Sequence, residues 1–156
     1  MSTSLLYNTQ HIVGFQHRSY KYEQRSVIQR ICRKTFSCDK CSSNKVSTFP
    51  AGTRRIHCGN IGRKLFFIEL NVHRIYCRNC KTLFTEHLPF LSHPKSRIST
   101  SLERTVIELR SEMSISAIAE YFKLDWRTVK ECEKHYLKKK FKTVRLKNVS
   151  VIGMDE

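Results

Sequence analysis

The chain has no apolar run approaching the ~20 residues that a membrane-spanning helix requires, so no membrane span is expected. Its start, MSTSLLYNTQHIVGFQHRSY, lacks a basic region followed by a long apolar one, so a secretory signal is not expected either. Acidic residues are scarce: 13 Asp and Glu stand against 29 Lys and Arg, a net charge of +16 over 156 residues. A field of that sign and size attracts polyanions, nucleic acid foremost, with an anionic membrane surface as the plainer rival. The cysteines lack an even count. Seven of them, without a secretory start, argue against a disulfide scaffold.

The positive charge is unevenly spread. Residues 1–100 hold 17 Lys and Arg against 4 acids, whereas 101–156 hold 12 against 9. Within the second part, Lys134 to Lys147 carries seven basic residues and no acid. A charge run is ordinarily a solvated face; two basic regions flanking a near-neutral segment point instead to a polyanionic partner.

The cysteines that are present fall into two pairs of one spacing, Cys38-Asp-Lys-Cys41 and Cys77-Arg-Asn-Cys80. Two intervening residues let both thiolates of a tight turn converge on one ion, and two such turns complete a four-cysteine tetrahedral site with metal–sulfur bonds of about 2.3 Å. Zinc fits best because no redox chemistry is indicated, although iron–sulfur clusters take the same ligands. Lys40, Lys45, Arg78 and Lys81 lie beside the pairs and would offset the double negative charge of Zn²⁺ with four thiolates. Such a closed site holds shape and does no chemistry. His57 and Cys58 are rival ligands without a partner at knuckle spacing; Cys32 and Cys132 read as ordinary thiols.

The 35-residue spacer between the pairs exceeds that of a compact zinc ribbon, so it must contain structure. In FFIELNVHRIY, Phe66, Ile68, Leu70 and Val72 alternate with Phe67, Glu69, Asn71 and His73, the pattern of a half-buried strand running into the second pair. NIGRK before it reads as a turn, and SVIQRICRKTF leads into the first pair. A thin core of this size would draw on the order of 10 kcal/mol of folding free energy from the metal.

Beyond HLPFLSHPKSRIST, which reads as a linker, the pattern turns helical. Leu102, Val106 and Leu109 mark one face of a first helix. Ser114 is placed to cap a second, Ile115 to Phe122, with Ile118, Ala119 and Phe122 inward. Asp125 is placed to cap a third, from Trp126 to about Phe141, with Val129, Cys132, Glu133 and Tyr136 on successive turns. A short helix, a three-residue turn and a capped helix opening on basic residues form the helix-turn-helix pattern. Any three-helix bundle makes similar patterns; the charge favours the DNA-binding one. Lys123 stands where the turn often has glycine, and a left-handed residue there would carry about 1–2 kcal/mol of strain. Arg127, Thr128, Lys130 and Glu131 would then face base edges, while Lys134, Lys138, Lys139 and Lys140 would contact phosphates. Trp126 is expected to pack rather than to touch bases.

The order CDKC, HRIYCRNCKTLFTEHLP, SISAIAEYFKLDWRTV and VSVIGMDE resembles bacterial insertion-sequence transposases. The most specific stretch is Arg74-Ile75-Tyr76-Cys77 with Asn79-Cys80, then Phe84, Thr85 and Glu86. The resemblance covers about residues 25–156. It implies an amino-terminal four-cysteine zinc domain, a helix-turn-helix and a carboxy-terminal ribonuclease-H-like domain with an Asp-Asp-Glu triad. Gly153-Met154-Asp155-Glu156 matches the end of that domain's first strand, which would make Asp155 the first catalytic carboxylate. Mg²⁺ would serve only a full-length enzyme holding all three.

The expected fold class is therefore α+β. Residues 1–20 would form a weakly structured start, 21–90 a β-rich zinc-binding domain, 91–100 a linker and 101–142 an all-α helix-turn-helix domain. Residues 143–156 would begin a truncated catalytic domain, leaving this chain inactive alone. The resemblance implies double-stranded DNA at transposon ends as partner, homo-oligomers on paired ends and a cytoplasmic, nucleoid-associated setting. A free-standing zinc-containing transcriptional regulator is the competing function, and an RNA-binding zinc protein the third.

Overall fold

The structure, a computed structural model, describes residues 2–142, and the chain divides into two compact units between Glu108 and Leu109. Asp155 and the expected strand Val149 to Met154 lie outside the described residues.

The first unit is built on a mixed sheet of strands β1 (Phe15–Tyr22), β2 (Ser26–Arg33), β3 (Val46–Ile61), β4 (Lys64–Cys77) and β5 (Leu83–Thr85). The order is β1-β2-β4-β3, with β5 pairing the end of β4. β1 and β2 form an antiparallel pair, and β2 runs parallel to β4. Parallel neighbours need a long crossover, and this one carries the first cysteine pair and β3. β3 returns to β4 through Gly62 and Arg63, and Gly62 takes the φ of +58° that so tight a hairpin turn demands.

The alternation read in β4 holds. Phe66, Ile68, Leu70 and Val72 are buried on one sheet face with Phe15, Val27, Ile31, Ile56 and Cys58. Each such side chain contributes about 1.5–3 kcal/mol when fully buried. Closing that core are Leu6 of helix α1 (Ser2–Gln10), Ile12, and Leu88, Phe90 and Leu91, with Phe90 edge-on to Phe15 at 5.6 Å between centroids.

Two expectations are corrected by this packing. Residues 1–20 are not weakly structured: they form α1 and most of β1, and Leu6, Ile12 and Phe15 are buried. The apolar pattern at the start is too short and irregular to announce a helix lid, so only the sheet that Leu6 and Ile12 cover reveals their role. Nor is 91–100 an open linker. The backbone around Ile98 pairs with His57 along the outer edge of β3, through His57 N to Arg97 O and Ser99 N to His57 O, each 2.9 Å. Ser99 then caps helix α2 (Thr100–Leu109), its hydroxyl accepting from Leu102 N at 3.2 Å, and Leu102 and Val106 are buried.

In the second unit, helix α3 (Ile115–Phe122) buries Ile118, Ala119 and Phe122, and helix α4 (Trp126–Lys140) buries Val129 and Cys132. Both amino-terminal caps form as read: Ser114 accepts from Ala117 N at 3.2 Å and Asp125 from Arg127 N at 2.8 Å. No helix among the described residues is long and apolar enough to cross a membrane.

Candidate metal centre and nucleic-acid interface

Cys38, Cys41, Cys77 and Cys80 converge, their Sγ atoms all within 4.8 Å of one another. The closest approaches cross between the pairs: Cys38 to Cys80 and Cys41 to Cys77, each 3.5 Å. Sulfurs around a tetrahedral ion with 2.3 Å bonds stand about 3.8 Å apart, so four ligands of this spacing could hold a metal ion. Among the described residues no two cysteines are joined by a disulfide.

The two knuckles are built alike. In each, the first cysteine's N–H donates to the carbonyl five residues on: Cys38 N to Ser43 O at 2.9 Å and Cys77 N to Thr82 O at 3.0 Å. In each, the residue after the second cysteine is left-handed, Ser42 at φ +55° and Lys81 at φ +52°. Arg78 N to Lys45 O, 3.0 Å, ties one knuckle to the other. β3 and β4 supply the rest: Val46 pairs with Cys77, so the antiparallel register delivers both knuckles to one end of the ribbon.

Packed thiols without a cation share too little compensation for four negative charges. Backbone N–H groups, that of Cys41 first, draw the Cys38 thiol down to about 6 against the opposing effect of burial. The Ser43 N–H draws Cys41 down too, but its hydrogen bond to Cys77, burial and the other two sulfurs push it up to about 12. Thr82, 3.0 Å from Cys80, lowers that thiol. Backbone donors are aimed at the sulfurs, and a divalent cation bound among them would stabilise all four as thiolates.

His57 and Cys58 take no part. His57 Nε2 lies 3.1 Å from Gly59 O, its ring stacks on Phe67, and burial lowers its pKa. Burial likewise pushes the Cys58 thiol up to about 12. Both are core residues.

Glu86 is a structural centre that residue patterns did not assign. Its carboxylate is buried and accepts from Arg33 Nε on β2, and from His73 N at 3.1 Å on β4. The His73 ring is 3.2 Å away, and Arg33 reaches on to His87 O. The brace joins segments 53 residues apart, beyond any local pattern.

The turn of the helical pair is closed by Lys123, left-handed at φ +51° and ψ +43°. Its N–H donates to Glu120 O at 3.2 Å and Leu124 N donates to Ala119 O at 2.8 Å, the paired bonds of a Schellman ending. From there α4 presents Arg127, Lys130, Glu131, Lys134, Lys138, Lys139 and Lys140 to solvent, with Thr128 half-buried. Glu131 pairs with Lys134 at 3.8 Å, and Arg110 with Glu133 at 3.1 Å. Trp126 is not packed as expected: it is 51% exposed, with Arg127 and Lys130 over its ring at 5.7 and 5.9 Å.

A helix-turn-helix with these features matches a known family. Residues 86–137 fit the model of the helix-turn-helix domain of transposase family ISL3. The transposase for insertion sequence element IS1001 of Bordetella parapertussis is 22% identical over 131 residues, covering 84% of this chain and 32% of that protein. Over these residues the chain is similar to insertion-sequence transposases. It spans about a third of the length of the curated relative that it matches. No solved structure matches it. The stretch fitting the family model opens at Glu86, so part of it lies within the β unit.

Proposed function

We propose that this chain is the DNA-recognition part of an insertion-sequence transposase and binds the terminal inverted repeats of its element. The single observation that carries the reading is the capped α4, whose amino-terminal turn exposes Arg127 and Lys130 inside a stretch that fits a transposase helix-turn-helix, and whose last turn, just beyond that stretch, exposes Lys138, Lys139 and Lys140.

In this reading the amino-terminal turn of α4 enters the major groove. Arg127, Thr128, Lys130 and Glu131 face base edges, Arg127 reading a guanine through its two-pronged guanidinium. Lys134, Lys138, Lys139 and Lys140 neutralise phosphates, which adds affinity without sequence information. Cys38, Cys41, Cys77 and Cys80 hold one structural Zn²⁺ that fixes the ribbon end of the sheet. Asp155 takes the role of first triad carboxylate by family resemblance. One carboxylate cannot by itself hold the metal ions of an in-line phosphoryl transfer, so the part proposed for these 156 residues is DNA binding. Cytoplasmic placement with the nucleoid and assembly on paired ends go with the reading.

The test is binding by fluorescence anisotropy to duplexes from the element's ends and to scrambled duplexes of equal length at several salt concentrations. Recognition predicts tighter binding to the ends by about 10³-fold or more. Equal affinity for every duplex would sink it, and equal affinity for RNA would support the RNA-binding alternative instead.

A further inference from the structure

The β unit carries a second cationic feature that the helix-turn-helix does not use. Ala51 is an extra residue in β3, at a bulge between Pro50 and Gly52 in its pairing with β4. Pro50 has no N–H to offer and the bulge turns the strand, both of which break an edge strand's regularity. Beside this bend, a cleft of about 520 Å³ opens between the β3–β4 ribbon and residues 85–94.

The cleft is built in two zones. Its floor is apolar, with Val72, Leu88 and Leu91 buried. Its rim carries the exposed cation Arg74, with the His87 and His93 rings exposed beside it. Arg54 forms a wall and is held rigidly, its guanidinium donating to Pro94 O at 2.7 Å and to Ser96 O at 2.6 Å. Burial, and then the like charge of Arg97, lower the Arg54 pKa, the mark of guanidinium groups crowded without a carboxylate between them.

Acids are few here. Between Leu70 and Leu102 the chain has five Lys and Arg and the single acid Glu86, and β3 has no acid at all. Glu86 lines the cleft, but its side chain is 1% exposed and engaged by Arg33 and His73. Glu103 also reaches this side of the unit, accepting from the Ser92 and Ser96 hydroxyls, but among the described residues neither Arg74 nor Arg97 forms an ion pair.

We infer that this cleft is a second, sequence-independent DNA contact, in which Arg74 and the Arg54 wall, with the exposed Arg97 beside Arg54 but outside the cleft lining, hold the phosphodiester backbone of duplex DNA. Cations beside an apolar floor suit a charged chain lying across the opening rather than a small anion enclosed within it. A rigid Arg54 loses little side-chain freedom on binding, which favours contact. This inference rests on the DNA-recognition reading and extends it to the other unit.

The test is the Arg74→Ala/Arg97→Ala double variant of the whole chain, with Arg74→Glu as a second variant. Both side chains are exposed, so folding should survive; metal content and melting are checked alongside. Affinity is measured against end and scrambled duplexes over a salt series. The expected result is weaker binding to both duplexes by a similar factor, with the salt slope reduced by about 2 and the end-to-scrambled ratio unchanged. Arg74→Glu should weaken both duplexes at least as much as Arg74→Ala. Unchanged affinity and slope, while Arg127→Ala still loses end-specific binding, would overturn the cleft and leave the recognition reading standing. No end preference in the unmodified chain would instead remove the recognition reading.

Discussion

The two units of this chain hold their shape by different means. The helical unit is assembled from neighbours: Ser114 caps α3 three residues on, Asp125 caps α4 two residues on, and Lys123 closes the turn between them. The β unit is assembled from strangers: Cys38 meets Cys80 across 42 residues, and Arg33 meets Glu86 across 53. Local contacts restrict little chain and form readily, whereas distant ones must overcome loop-closure entropy before they contribute. In the β unit the apolar core and the buried Glu86 brace offset that cost, and a metal at the four cysteines would add to them. The comparison teaches that the same chain should respond to perturbation in two separable ways.

The largest break is expected at the metal. Cys38→Ser or Cys77→Ser should abolish binding of one zinc per chain and unfold the β unit, a loss on the order of 10 kcal/mol of metal-linked stability. Metal analysis and limited proteolysis read this out, and α3 and α4 should stay helical by circular dichroism. Lowering the pH should release the metal from the unmodified chain too, because protons compete for the thiolates. Loss of the helical signal together with the metal would mean that the units do not fold separately.

Removing the buried carboxylate comes next. Glu86→Ala leaves Arg33 and the His73 N–H facing an empty centre and should destabilise the β unit by about 3–5 kcal/mol, seen as a lower denaturation midpoint. A change under ~1 kcal/mol would show that solvent replaces the brace.

On the helical side, Arg127→Ala should weaken end-specific binding by about 1–3 kcal/mol without lowering thermal stability. Equal weakening on scrambled duplexes would reassign Arg127 from base reading to phosphate contact.

The smallest effects sharpen the comparison at the backbone. Lys123→Gly should relieve left-handed strain and stabilise the helical unit by about 1 kcal/mol, and Ser42→Gly or Lys81→Gly should do the same at the knuckles. Thermal melts resolve the units only if each substitution moves its own transition.

Legibility follows the same divide. The caps, the inward face of α3, the Val129 and Cys132 positions of α4 and the left-handed turn at Lys123 were readable, since each depends on residues a few positions apart, whereas Tyr136, read on the same face of α4, is exposed. The cysteine pairs were readable because a two-residue spacing is itself local chemistry, and β4 because its alternation is uninterrupted. The roles of α1, of segment 91–100 and of Glu86 were not. Leu6, Ile98 and Glu86 are ordinary in their own neighbourhoods and matter through what they touch. Trp126 erred the other way: a lone tryptophan suggests packing, yet it stands half-exposed beneath two cations.

By itself, then, the sequence determined the mixed character of the chain, its paired-cysteine pattern, its helix-turn-helix and its positive charge, because periodicity, spacing and capping act over one or two turns of chain. The tertiary structure alone decided that α1 and residues 88–91 close the core, that β2 runs parallel to β4 and that Glu86 becomes a buried brace. It also decided that a cleft with Arg74 on its rim opens beside the bend in β3. Those outcomes depend on which distant segments come to lie side by side, and burial and electrostatic strength follow from that proximity rather than from position in the chain.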